Sequence, residues 1–167
     1  MIAVIVLTFA VACRKGSPTI IPIDTLLVYT KEELANACWE YKEELNEVAK
    51  IVLENEAFER QIRNSREGDG SLIVEGSKVD YTDEEWEAIV DLFNKIRPYM
   101  LMRDIRNGDN VFYITFFRTK IDDGYISTTL YYFQDADAVE RYQKNIWVGA
   151  LDHIDGGWYV GEDISDW

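Results

Sequence analysis

Two stretches of the chain carry apolar residues at helical spacing, and both open with the same polar signature. Thr30-Lys31-Glu32-Glu33 and Thr82-Asp83-Glu84-Glu85 each set a threonine three residues ahead of a glutamate, the pattern of a capping box. Tyr29 with Leu34, and Tyr81 with Trp86, stand at the flanking positions of a hydrophobic staple. After the first box, Leu34, Cys38, Tyr41, Leu45, Val48 and Val52 follow at spacings of 4, 3, 4, 3 and 4, one face of a helix. The stripe breaks at Asn55-Glu56 and resumes, displaced, at Phe58 and Ile62, which predicts a long helix to about Arg63, bent near Asn55. After the second box, Trp86, Ile89, Phe93 and Ile96 are spaced 3, 4 and 3, and Pro98 marks the helix end.

The period then changes. Met100–Arg106 reads as a strand, and Asn107-Gly108-Asp109-Asn110 is turn chemistry. Val111 to Phe133 is rich in aromatic and β-branched residues around a polar turn, Thr119 to Gly124, and predicts the central hairpin of an antiparallel sheet. Along Val111–Phe117 both faces are apolar, so this strand is expected to have a layer over each side. Ser127, Thr128 and Thr129 suggest partial exposure of the next strand. Gln134–Asn145 is ambiguous, with Asp135 able to cap two turns of helix. Trp147–Ile154 is extended, Asp155-Gly156 is a two-residue hairpin turn, and Gly157–Val160 is the last strand, with Gly161 to Trp167 expected to fray. The predicted fold class is α+β, two main helices packed on an antiparallel meander of about four to five strands.

Charge narrows the partners. Seventeen basic residues face 31 acidic ones, a net −14. Phosphate binding needs clustered Lys and Arg, so nucleic acid is not expected, nor is adsorption to anionic lipid. A basic partner protein, steered in by the field, fits the balance. Acidic residues near the meander turns, Asp122, Asp123 and Asp155, are the partner-binding candidates.

Catalytic chemistry is sparse. The lone histidine, His153, cannot by itself build a histidine-based metal site, and zinc wants several nitrogen or sulfur ligands. Gly68-Asp69-Gly70 lacks the strand before it and the Lys-Ser/Thr after it that a phosphate loop requires. Glu67 and Asp69 lack the ligand spacing of a calcium loop. Paired carboxylates, Asp122-Asp123 and Asp135/Asp137, remain for a glycosidase-like site, although Asp-Asp-Gly is first of all a hairpin turn. No catalytic residue, metal or cofactor is assigned.

The start of the chain has its own character. Met1–Ala12 is uncharged and apolar, too short to span a bilayer, which takes about 20 residues. It has the length of a signal-peptide apolar region, and Ala10-Val11-Ala12 precedes Cys13. This resembles the lipobox of bacterial lipoproteins, with Ala10 in place of the usual Leu and no basic residue ahead of the run. The resemblance implies cleavage before Cys13 and a lipid on its thiol. The expected organisation is a signal-peptide-like segment (1–12), a lipid-anchored tether and strap (13–29) and a single α+β domain (30–167). Cys38 falls inside the first helical stripe and reads as a buried apolar residue.

Asp123-Gly124-Tyr125-Ile126-Ser127 and His153-Ile154-Asp155-Gly156-Gly157-Trp158-Tyr159 resemble segments of small uncharacterised bacterial lipoproteins with a helical first half and a sheet ending in a Gly-Trp-Tyr strand. Some such acidic proteins serve as immunity proteins against secreted toxins. The resemblance covers Leu92 onward and the lipobox-like start, and its motifs are structural. The lipobox-like start, the acidity and the lack of catalytic residues together lead to the expectation of a lipid-anchored, non-enzymatic binding protein on the extracytoplasmic face of a bacterial membrane, with a basic, toxin-like partner. The alternative is a cell-envelope carbohydrate-active enzyme or sugar-binding module using carboxylates and aromatics.

Overall fold

The structure is a computed structural model, and it describes residues 29–55, 61–64, 72–75, 81–106, 108–121, 124–145 and 149–166. Residues 1–12, Cys13, the tether and strap up to residue 28, Phe58, Glu67, Asp69, Asp122, Asp123 and Trp167 lie outside the described residues.

The first capping box closes as expected. Thr30 Oγ1 accepts from the Glu33 amide at 3.2 Å, and the Glu33 carboxylate accepts from the Thr30 amide at 2.9 Å. The chain then forms two helices, α1 (Lys31–Glu40) and α2 (Lys42–Glu54), in place of one long helix. They meet at Tyr41, whose backbone leaves the helical region at φ −110° and ψ 28°. The Tyr41 amide still reaches the Ala37 carbonyl, and its own carbonyl still accepts from Leu45, both at 2.9 Å. The apolar stripe therefore runs through the break, with Leu34, Cys38, Leu45, Val48 and Val52 all buried.

At Asn55 the backbone turns extended and α2 stops. Ile62 and Arg63, expected in the helix, lie instead in β1 (Gln61–Asn64), which pairs with β2 (Leu72–Glu75). The displaced apolar position at Ile62 thus reflects a new element. Further on, α3 (Asp83–Ile96) begins at its own closed capping box and ends at Arg97, held in the left-handed region at φ 50°. Pro98 disfavours right-handed helix at Arg97, so the chain leaves α3 by this less common conformation.

The remaining elements are β3 (Met100–Arg106), β4 (Asp109–Ile121), β5 (Gly124–Phe133), α4 (Ala136–Asn145), β6 (Asp152–Asp155) and β7 (Trp158–Asp166). The sheet runs β2-β1-β3-β4-β5-β7-β6 with every neighbouring pair antiparallel. The class is α+β. The seven strands exceed the expected four to five because β1 and β2 extend the β3 edge, where Ile62 pairs with Leu101. The last strand is also longer than expected. It pairs with β5 from Trp158 to Asp166, where fraying was expected after Val160. Without that ladder one edge of β5 would leave its amides and carbonyls unpaired.

Strand β4 sits at the centre and is covered on both faces, as its two apolar faces predict. Helices α1 to α3 lie over Phe112, Ile114 and Phe116, together with Leu130, Trp158 and Val160. Helix α4 covers the other face, packing Ala138 and Tyr142 against Val111, Tyr131 and Phe133. Ser127, Thr128 and Thr129 are buried, contrary to the exposure their polarity suggests. The threonine hydroxyls are accommodated inside: Thr128 Oγ1 donates to the Tyr29 carbonyl at 3.0 Å, and Thr129 Oγ1 lies 3.4 Å from Thr115 Oγ1. Buried hydroxyls are tolerated when so partnered.

Among the described residues, Trp158 is the largest fully buried side chain. Its ring meets Phe112 edge-on at 6.1 Å and Tyr132 at 5.0 Å, and its Nε1–H donates to Asn46 Oδ1 of α2 at 2.8 Å. The turn before it is Gly156-Gly157, one residue later than the expected Asp155-Gly156, because Asp155 itself pairs with Trp158. Gly156 takes φ 53°, and Gly157 passes so close to β5 that its carbonyl accepts from the Phe133 amide at 2.9 Å. A Cβ on Gly157 would collide with the Phe133 carbonyl and approach the Tyr132 ring to 2.9 Å. Gly157→Ala is therefore expected to destabilise the fold by roughly 1–3 kcal/mol, as overpacking does. Urea denaturation measures this, and a change within error would mean the turn moves freely.

Candidate functional site

Helix α1 and the start of α2 lie against β7, and the β6–β7 hairpin presents its turn beside them. This brings Asp155, at the end of β6, to Lys42, the first residue of α2 and 113 positions away in sequence. Lys42 Nζ donates to Asp155 Oδ2 in a close ion pair, with side chains 40% and 32% exposed. The same Nζ lies 5.4 Å from the centroid of the Trp39 ring, within cation–π range. Trp39 is 54% exposed, and Trp39 and Ile105 are the exposed large hydrophobics of the described residues. A second ion pair flanks the first: Lys31 Nζ lies 3.0 Å from Asp152 Oδ2 and donates to the Ala150 carbonyl at 3.3 Å.

The partner shifts both members of the central pair. The hydrogen bond from Lys42 lowers the Asp155 pKa, and the hydrogen bond to Asp155 raises that of Lys42. Cys38, buried one position before Trp39, has its thiol pushed up to about 11, first by burial and then by Asp155. It is a neutral thiol at neutral pH and acts as packing. His153 lies 4.9 Å from the Tyr159 ring, with Nε2 3.1 Å from the Gly156 carbonyl oxygen.

Among the acidic candidates, Asp155 has a defined place, and Asp122 and Asp123 lie outside the described residues. Their neighbour Gly124 pairs with Asp166, whereas Tyr132 at the far end of β5 pairs with Trp158. Eight residues of strand, about 26 Å, separate those two ladder positions. The geometry thus sets Gly124 and the Asp155 turn at opposite ends of β5.

Most of the exposed acidic residues among the described ones lie on the helices. Helices α1, α2 and α3 carry twelve carboxylates against four lysines, a balance of −8 out of the chain's −14. Glu32, Glu33, Glu40, Glu43, Glu47 and Glu54 on the first two helices are exposed, as are Asp83, Glu84, Glu87 and Asp91 on the third. Sequence reasoning centred on the meander turns misses this acidic outer surface, although helical spacing leaves those positions facing away from the buried stripe. Trp39 is missed as well. Its signal is legible: a large apolar residue one position round the helix from buried Cys38, on the polar side.

Of the paired carboxylates at Asp135 and Asp137, that of Asp135 has a structural role. Asp135 Oδ1 accepts from the Asp137 amide at 3.0 Å, and its Oδ2 lies 3.1 Å from Arg141 Nη2. Arg141 also holds Asp109 through two hydrogen bonds, at 2.7 and 3.1 Å, fastening α4 to the start of β4. Among the described residues, the carboxylates with displaced pKa values, Glu33, Glu44, Asp109, Asp135, Glu140 and Asp155, are all pushed down, opposite to what a general acid requires. A cleft of about 220 Å³ opens between Tyr132, Gln134, Ala136, Gly156 and Tyr159, and among the described residues no carboxylate lines it. Among the described residues, no group of three or more His, Cys, Asp or Glu stands close enough to hold a metal, and no helix is long and apolar enough to cross a membrane.

No family model, curated protein or solved structure matches the chain.

The pH dependence of the central pair follows from its two shifts. The depressed Asp155 contributes stability above the ordinary carboxylate value, about 4, and loses it as pH falls through the lower folded value. The elevated Lys42 contributes below the ordinary lysine value, about 10.4, and loses that as pH rises through the higher folded value. Asp155→Asn is thus expected to lower the melting temperature slightly between these limits. The gap to wild type should close on acidification below about 4 and shrink in high salt, since the pair is part-exposed. Thermal melts at neutral and acid pH measure this, and a gap independent of pH would assign the effect to something other than charge.

Proposed function

We propose that this chain is a lipid-anchored, non-enzymatic acidic binding protein of the bacterial cell envelope that docks a basic protein, in an immunity-type role against a toxin. The observation that carries the reading is the acidic outer surface of α1 to α3. Helix stability does not account for it. Carboxylates in first turns favour the helix dipole, as at Glu32, Glu33, Asp83 and Glu84. Glu40 and Glu54, however, are the last residues of α1 and α2, where the dipole disfavours them, and neither last turn holds a basic residue. Carboxylates placed against local preference support a surface shaped for long-range attraction of a cationic partner. The anchor rests on Cys13 following the apolar run Met1–Ala12. Two acyl chains on such a cysteine hold a protein to the membrane far better than one.

Two measurements test the two halves of the reading. Reversing charge at Glu84, Glu87 and Asp91 to lysine is expected to slow association with a basic envelope or secreted partner by about tenfold or more at low salt, with a stability loss of about 1 kcal/mol from placing a cation in the first turn of α3. Binding kinetics across a salt series read this out. A partner that is acidic, or indifferent to the reversal, refutes the docking half. In bacteria, the full chain is expected to partition with membranes and carry an acyl mass on its new N-terminus, both lost in Cys13→Ala. An unprocessed, soluble product in a lipoprotein-competent host refutes the anchoring half.

A further inference from the structure

We infer that Trp39 and Asp155 form a receptor for one cationic side chain of the basic partner, and that Lys42 occupies this receptor in the free protein. The inference rests on the docking reading above and names the contact within it.

Lys42 engages both groups an incoming cation would seek. Its ammonium lies 5.4 Å from the Trp39 ring centroid and is ion-paired with the Asp155 carboxylate. The ring is half open to solvent, and Glu40 and Glu43 beside it in sequence are exposed. The surroundings of this indole therefore attract positive charge and disfavour an anionic or purely apolar visitor. An exposed tryptophan at the edge of an acidic surface is the residue type that most often anchors an interface.

Lysine is a replaceable occupant. Its ammonium is a compact, strongly hydrated charge on a flexible stem. An arginine guanidinium stacks on an indole and engages a carboxylate through two parallel hydrogen bonds, which an ammonium cannot do. Lys42 is part-exposed, so its head can swing into water while the partner's guanidinium takes its place. In the free protein Lys42 neutralises Asp155 and shields the ring face. In the complex it is displaced.

Displacement makes an unusual demand: removing Lys42 should improve binding. Isothermal titration of the full chain with a capped hexa-arginine peptide tests this, with hexa-lysine as the matched probe. Lys42→Met keeps the stem, removes the competitor, and is expected to tighten hexa-arginine binding about three- to tenfold. Lys50→Met makes the same change in net charge at an exposed position further along α2 and is expected to change it less than about twofold. Trp39→Ala placed on Lys42→Met should return the affinity to wild type or below, and the gain should be smaller for hexa-lysine. Thermal melts confirm that the variants are folded.

Equal gains in Lys42→Met and Lys50→Met would reduce the effect to net charge and overturn the receptor. A gain that survives Trp39→Ala would overturn it also. If these variants bind like wild type while the Glu84, Glu87 and Asp91 reversal abolishes binding, the acidic docking surface stands and the receptor falls. If no variant binds either peptide, both fall together.

Discussion

A single indole ties the helical layer to the sheet. Trp158 is 1% exposed, lies edge-on to Phe112 of the central strand, and sends its N–H to Asn46 of α2. A buried N–H without an acceptor costs the full loss of its hydration, so the ring has a preferred position and not merely a preferred environment. That requirement fixes the offset of α2 over β7. The offset in turn puts Lys42, at the start of α2, next to Asp155, at the end of β6. Gly157 makes the arrangement possible, since only a residue without a side chain lets the hairpin lie this close to Phe133 and Tyr132. The ion pair is a consequence of this packing more than a cause of it, as its partial exposure suggests.

Much of the fold is legible where local and long-range preferences agree. Thr30 and Thr82 announce their helices because the cap, the reciprocal glutamate and the following apolar stripe all point the same way. The hairpin from Val111 to Phe133 is legible because β-branched and aromatic runs are bounded by turn residues. Ile62 misleads because one apolar residue at near-helical spacing cannot distinguish a continuing helix from a short strand. What decides it is β3, whose outer edge pairs with β1, about 40 positions earlier in the chain. Thr128 and Thr129 mislead because a hydroxyl looks exposed until its partner is known. The partners, the Tyr29 carbonyl and Thr115, come from other parts of the chain.

The candidate site shows the same division. Asp155 stands out in sequence as a turn acid. Its pairing with Lys42 depends on the packing of distant elements and cannot be read locally. The acidity of the chain is obvious from composition, but its location is a property of the helical layer: inward positions are taken by the core, and the carboxylates are left on the outer surface. Trp39 breaks that pattern, and a break in a local rule without local compensation is where function is to be sought.

Field and anchor do different work. Ten exposed carboxylates on α1 to α3 act beyond contact distance, raising the encounter rate with cations while distinguishing poorly among them. Trp39 and Asp155 act only at contact, through a ring face and a carboxylate that both lie near the Lys42 ammonium. An acidic surface alone would gather any polycation, and an exposed indole alone would be a site for unspecific association. Lys42 supplies the missing discrimination. It holds the ring and the carboxylate satisfied until a ligand arrives that can engage both better than an ammonium does. The side chain that pairs with Asp155 in the free protein thereby also sets the selectivity of the contact.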